Sequence, residues 1–404
     1  MTGADTVTSS TAGTTGPSTP RWRRRLIGAA LTAAVVAATS AFSACAAAQD
    51  VAQDAGAAAA AVDHAAGITD AAAAAPTPTA TPVAAAAGGR GPVSRGSAGR
   101  TSAGSPVSVP LHVRTVTPEE IPVVVEITVG GGRPIPVMLD TGSSGLLVDG
   151  DAVGPGTVRG GTPYTSEYVS GNLVGTLGSA TVGIGGVPTT HPIAIAVVDR
   201  ARSTFTLPAG VDGIMGIGTT DTTGFAGQVL FAPQLQLPAP YNAGSTIRID
   251  ADATGTWTLG PVPPRPGDAV VPMPAAAPAG AHLPAGYPQV ARDVDLCWRV
   301  AGAAAACGLT AVDSGSWTAL LSTAAYSGLA APGHLVAPGH QVTVSAPSGA
   351  SLWSWTSGER SATNTVAVAT LAAGERFNTG IGLFVGRTIA WDYAGAQVRI
   401  GSAG

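Results

Sequence analysis

The sequence predicts an all-β fold made of two related halves, preceded by a long stretch that builds no core. Three observations carry this. Only 11% of the 404 residues are charged, all 20 basic residues are arginine, and glycine (55) and proline (32) are abundant. Chains rich in helix breakers do not build long helices, and coiled coils need charged flanking positions. Of the 19 aromatic residues, 17 lie after residue 106, so the large side chains that fill a core begin near Val107. Finally, an apolar run that ends in Asp, followed by a hydroxyl residue, Gly and Ser, occurs twice, at Asp140 and at Asp313.

Charge narrows the function classes. The chain carries −4 in total, and residues 107–404 carry −6 from 19 acids and 13 arginines. Nucleic-acid binding is therefore not expected, because it needs a basic face. A mildly acidic folded part suits a soluble exported protein that avoids anionic surfaces.

In chain order, residues 1–20 are rich in Thr, Ser and Gly. Arg21, Arg23, Arg24 and Arg25 then precede an apolar run over 26–44. This is a positive n-region before an h-region, and Ala44, Ala46 and Ala48 offer A-x-A cleavage points. The run is long for a signal and just long enough to cross a bilayer. Residues 1–48 thus read as a cleaved export signal or as a membrane anchor through residues 26–45, with a buried helix as the third reading. In the first two readings the arginines stay in the cytoplasm and the rest is exported, secreted or held at the cell surface. Arg23-Arg24 before Leu26-Ile27 suggests twin-arginine export. Cys45, after Ser43-Ala44, offers a lipid-anchored cysteine, with Phe42 a poor residue for it. Residues 49–106 are Ala-, Pro-, Gly-, Ser- and Thr-rich and predict a disordered spacer, since they cannot bury enough apolar surface to order themselves. Arg90, Arg95 and Arg100 in it read as solvated linker charge or as processing sites.

The folded part begins with two strands. Residues 121–129 are rich in β-branched residues, 130–132 are three glycines that turn the chain, and 135–139 form a second apolar run. It ends at Asp140, followed by Thr141-Gly142-Ser143-Ser144-Gly145. A carboxylate at the end of a buried strand is costly unless it is hydrogen-bonded, and the small hydroxyl residues beside it can supply bonds. An Asx-turn is the simpler local reading. Residues 307–321, CGLTAVDSGSWTALL, repeat the arrangement with Asp313, Ser314, Gly315 and Ser316. Two matching half-sites imply an internal repeat and two carboxylates that meet at its axis. Cys297 and Cys307, ten apart, are expected to pair as a disulfide in an oxidising compartment, with two buried thiols as the alternative. They have no second pair with which to make a zinc site.

DTGSSG at 140–145 and AVDSGS at 311–316 resemble the two catalytic motifs of the pepsin-like aspartic proteases, with Ser314 where Thr is more usual. Residues 168–182, YVSGNLVGTLGSATV, align without a gap to the flap hairpin of that family. VDGIMGIG at 211–218 resembles the segment that threads behind the first Asp, and its counterpart is expected at Ile381-Gly382, before a final strand pair around Trp391-Asp392-Tyr393. The resemblance covers about residues 120–400 and extends to the aspartic protease domains attached to mycobacterial PE proteins.

The resemblance implies a bilobal pepsin-like double barrel with pseudo-two-fold symmetry and a flap over the cleft. It divides the chain into a first lobe, 107–262, and a second, 263–404. Asp140 and Asp313 would be the catalytic pair. Thr141 and Ser314 would bond across the lobes behind it, beside Gly142 and Gly315. Ser143 and Ser316 would bond the outer carboxylate oxygens. Tyr168, Ser170 and Gly171 would meet substrate from the flap. The implied activity is an aspartic endopeptidase that cleaves an extended polypeptide with a carboxylate-activated water and no covalent intermediate. It would act as a monomer with no metal or organic cofactor. Leu147 departs from the family, which often has a Trp there that bonds the flap Tyr. The main alternative is a catalytically weak or inactive binding module of the same fold on the cell surface. A structural wall protein, supported only by the Ala/Pro spacer, is the third reading.

Other chemistries lack their motifs. No G-x-S-x-G nucleophile elbow or H-E-x-x-H zinc motif is present. His334 and His340 read as loop histidines, and the glycines at 130–132 and 183–186 as hairpin turns. Trp353 and Trp355 share one strand face and are expected to pack in the core rather than to stack on carbohydrate.

Overall fold

The structure is a computed structural model that describes residues 105–115, 117, 120–168, 171–219, 230–276, 283–358, 363–371 and 377–401. The expected export segment, Cys45, the spacer up to residue 104 and Ser170 lie outside the described residues.

Strands form where β-branched residues run. In Val123–Val129 only Glu126 and Thr128 are not buried. Val123, Val125, Ile127 and Val129 face the main core, while Val124 faces a second cluster with Met138, Leu147 and Ile214. Burial on both faces is why the run reads as continuous rather than alternating. Gly130 and Gly131 turn the chain back, both in left-handed conformation (φ 59° and 70°). Only glycine adopts that pair without a steric cost. The return strand, Ile135–Asp140, pairs antiparallel with the first, Val124 opposite Met138.

A threaded strand then sets the site. Gly213–Ile217, every residue buried, runs parallel to Ile135–Asp140, with Met215 opposite Leu139 and Gly216 opposite Asp140. Its other edge pairs antiparallel with Ser144–Asp149. The chain must therefore loop out at 141–143 around the end of this third strand, and that loop presents Asp140. The second half repeats the device. Phe377–Asn378 runs parallel to Ala306–Ala311 and antiparallel to Ala319–Ser322. The expected counterpart at Ile381-Gly382 is corrected here. The threading pair is Phe377–Asn378, and Ile381–Leu383 is the 3-10 turn that follows it. That turn still keeps one symmetric bond: Ile381 N–H donates to Ser316 O, as Gly218 N–H donates to Ser143 O, both at 2.8 Å.

The described strands form two sheets. Eight, from His334–Leu335 to Ser351–Thr356 in sheet order, lie in the second half. The larger sheet has fifteen, and it takes in Ala269–Pro272 and the last two strands, Arg387–Asp392 and Gln397–Ile400. Arg387–Asp392 pairs with Gly244–Ile249, so the end of the chain is stitched into the strands of the first half. Described helix is limited to Thr323–Tyr326, capped by Ser322 Oγ, and two 3-10 turns. Cys297 and Cys307 stand directly opposite on adjacent strands and form a disulfide. Trp353 is buried and stacks on Trp355 at 3.6 Å, with rings 14° apart. Both rings therefore serve the core. Trp298, fully buried, stacks at 5.6 Å on Phe377, which anchors the threading pair. Truncation of such a ring costs about 3–5 kcal/mol.

Candidate active site

Asp140 closes its strand and Asp313 lies just past Ala306–Ala311, and both are buried (6% and 8% exposed). Each is bonded inside its own loop. Gly142 N–H donates to Asp140 Oδ1 at 2.8 Å, and the Ser143 hydroxyl donates to Oδ2. Gly315 N–H donates to Asp313 Oδ1 at 2.7 Å. Ser316 departs from expectation. Its hydroxyl turns away and donates to Thr318 O at 2.9 Å. The outer oxygen of Asp313 instead accepts from Asn378 Nδ2 at 2.6 Å. Gly380 N–H donates to Asn378 Oδ1 at 2.8 Å and holds that amide in orientation.

Behind the carboxylates the two loops are bolted crosswise. The Thr141 hydroxyl donates to Val312 O at 2.6 Å and accepts from Ser314 N–H at 2.8 Å. The Ser314 hydroxyl donates to Leu139 O at 2.7 Å and accepts from Thr141 N–H at 3.2 Å. Serine in place of the usual threonine keeps the hydroxyl, so no bond is lost. All four bonds are buried, where an unmade bond costs about 1–3 kcal/mol. The glycines of the two loops are explained by the opposite carboxylate. A Cβ on Gly142 would lie 2.6 Å from Asp313 Oδ2, and one on Gly315 would lie 2.6 Å from Asp140 Cγ. Each carboxylate occupies the space that a side chain on the other loop would need.

Electrostatics follow from this proximity. Burial, then the Asp313 charge, raise the Asp140 carboxyl to about 7 against the bonds from Ser143 and Gly142, which lower it. Two buried carboxylates this close hold one proton between them. The raised Asp140 carboxyl is the mark of that shared proton.

The flap hairpin is Val158–Tyr168 paired with Gly171–Ala180, Tyr168 opposite Gly171. Tyr168 packs on Phe205 at 5.0 Å, beside the cluster that contains Leu147. Burial, then the Asp140 charge, hold its phenol well above the usual range. Gly171 (φ 142°) has a packing reason, because a Cβ there would lie 2.7 Å from Phe205 N.

The structure thus brings together Asp140, Asp313, Thr141, Ser314, Gly142, Gly315, Ser143 and Tyr168, and moves Ser316 off the carboxylate. It adds Asn378. The only sequence signal for that residue is the polar run Asn378-Thr379-Gly380 after Phe377, just before Ile381-Gly382, where the threading segment was expected.

A family profile described as the PE-PGRS C-terminal aspartyl peptidase-like domain matches residues 107–400. Among solved structures, the crystal structure of aspartic proteinase from Irpex lacteus matches with a TM-score of 0.50 at 15% identity, over 74% of this chain and 98% of that chain. At that identity the likeness shows the fold, the bilobal pepsin-like β architecture. A search of curated proteins gave no match.

Proposed function

The chain belongs to the PE-PGRS C-terminal aspartyl peptidase-like domain family, and from that premise we propose that it is an active aspartic endopeptidase that works outside the cytoplasm. The observation that carries this is the paired carboxylate: Asp140 and Asp313, brought together from two halves, with Asp140 raised to about 7. A buried, hydrogen-bonded pair with one proton is built for acid–base work on a water molecule.

In the mechanism, ionised Asp313 takes a proton from a water held between the carboxylates. The water oxygen bonds the scissile carbonyl carbon as Asp140 gives its proton to the carbonyl oxygen. The product is a neutral tetrahedral diol. Asp313 then gives its proton to the amide nitrogen, the C–N bond breaks as Asp140 takes a proton from one diol hydroxyl, and an acid and an amine leave. The pair ends with one proton, as it began. Asn378 and Gly315 hold the Asp313 carboxylate in place through its two oxygens. The hairpin ending at Tyr168 is suited to close over an extended polypeptide and to exclude water. We place the protein as a monomer, secreted or held at the cell surface through residues 26–45, with lobes divided near residue 262.

The test is incubation of the purified full chain with denatured protein from about pH 3 to pH 8. Cleavage, its block by pepstatin-type transition-state mimics and its loss in Asp140→Asn and Asp313→Asn are expected. Cleavage that persists in both variants removes the dyad. A wild type as inert as the variants favours the binding-module reading. Pepstatin resistance alone leaves the dyad standing, since Leu147 alters the wall near Tyr168.

A further inference from the structure

Arg292 belongs to neither motif, yet it reaches the catalytic loop from the other half of the chain. It lies two residues before the strand Val294–Val300 of the second sheet. Its Nη1 donates to the carbonyl oxygen of Gly142 in the first half. Two further N–H groups grip Asp293, Nε to Oδ1 at 2.8 Å and Nη2 to Oδ2 at 3.3 Å. The Asp293 side chain is 0% exposed and that of Arg292 20%. A two-pronged bond to a buried carboxylate fixes the plane of a guanidinium. The aliphatic stem passes close over Gly218, where a Cβ would lie 2.9 Å from Arg292 Cδ.

Gly142 needs such an anchor. The Asp313 carboxylate forbids a side chain there, and a glycine has the widest backbone freedom of any residue. The same residue must aim its N–H at Asp140 Oδ1. We propose that Arg292 is a positioning residue of the dyad: by holding the Gly142 carbonyl from the second half, it fixes the 141–143 loop so that the Gly142 N–H stays on Asp140. The bonds that define its role go to the Gly142 carbonyl and to Asp293. The titratable groups that face Asp140 are Asp313 and, from the flap, Tyr168; Arg292 acts on it through the backbone. The inference rests on the aspartic-protease reading for its kinetic consequence, though not for its structural one.

Three variants of the full chain test it. Arg292→Met removes the bond and leaves Asp293 buried without that partner, a change that can unfold the protein. Arg292→Met/Asp293→Asn removes the charge together with its partner and keeps the volume. Asp293→Asn alone keeps the Arg292–Gly142 bond and serves as the reference. Relative to that reference, the double variant is expected to lose about tenfold or more in kcat with KM little changed. The alkaline limb of its pH–rate profile is expected to move up by about half a unit or more, because the Gly142 N–H that favours the Asp140 anion is no longer held in place. Arg292→Lys, which keeps one donor, should recover part of both. Unchanged kcat and limb in a folded double variant overturn the proposal, and so does a loss of kcat with the limb unmoved, which is the mark of a merely structural role. If the wild type cleaves nothing, the protease reading fails separately. The positioning claim is then read from the pH at which urea stability falls as Asp140 ionises, which should be higher in the double variant than in Asp293→Asn. An equal midpoint overturns it.

Discussion

Replacement of Asp140 by Asn should stabilise the protein at neutral pH and leave it nearly unchanged in acid. The carboxyl is raised to about 7 in the folded protein, against 3.8 for an unburied group. Between those values the native state keeps a proton that the unfolded chain has lost. Stability is therefore highest below about pH 4, falls as pH rises from about 4 to about 7, and is level above that. Three units at about 1.4 kcal/mol each set the full fall at up to about 4 kcal/mol. Asparagine has the same shape and no charge. Its Oδ1 can still accept from Gly142 N–H, and the Ser143 hydroxyl can turn to accept from Nδ2. The assay is urea unfolding of the full chain and of the variant, followed by tryptophan fluorescence, in steps from about pH 4 to pH 8. The midpoints should meet near pH 4 and part progressively toward pH 7, the variant higher. Parallel curves across the range, or a variant less stable at neutral pH, would refute the assignment of the retained proton to Asp140.

The cross-lobe bolt predicts that Thr141→Val and Ser314→Ala each cost about 1–3 kcal/mol in chemical denaturation, because each leaves a buried carbonyl and a buried N–H on the opposite loop unmatched. Equal or better stability in either would mean that the four bonds do not hold the loops together. Gly142→Ala should reduce kcat/KM by about a hundredfold, since its Cβ displaces the Asp313 carboxylate, and a variant with wild-type kinetics would contradict the packing. Asn378→Ala frees the outer oxygen of Asp313 and should lower kcat by about a hundredfold in steady-state assays. Ser316→Ala should leave kcat within about twofold, because that hydroxyl serves Thr318 O. The reverse ranking of these two would restore Ser316 to the carboxylate.

Much of this protein is determined locally and is legible without coordinates. Strands follow from β-branched runs such as 123–129, turns from Gly130 and Gly131, and the disulfide from two cysteines ten apart. The two aspartates are legible because the same short pattern occurs twice, and a carboxylate at the end of an apolar run is costly enough to stand out. What the tertiary structure alone decided lies at long range. Asn378 is 65 residues from the carboxylate it bonds, and Arg292 is 150 from Gly142. No periodicity or local pattern connects such pairs, because their separation is set by how the threaded strands and the two halves pack. The Ser316 rotamer has the same origin. The two Asp loops match in sequence, but their hydrogen-bond partners differ: the Ser143 hydroxyl serves Asp140, whereas the Asn378 amide serves Asp313. A repeated motif can specify that two carboxylates meet, but it cannot specify which distant side chain bonds each of them.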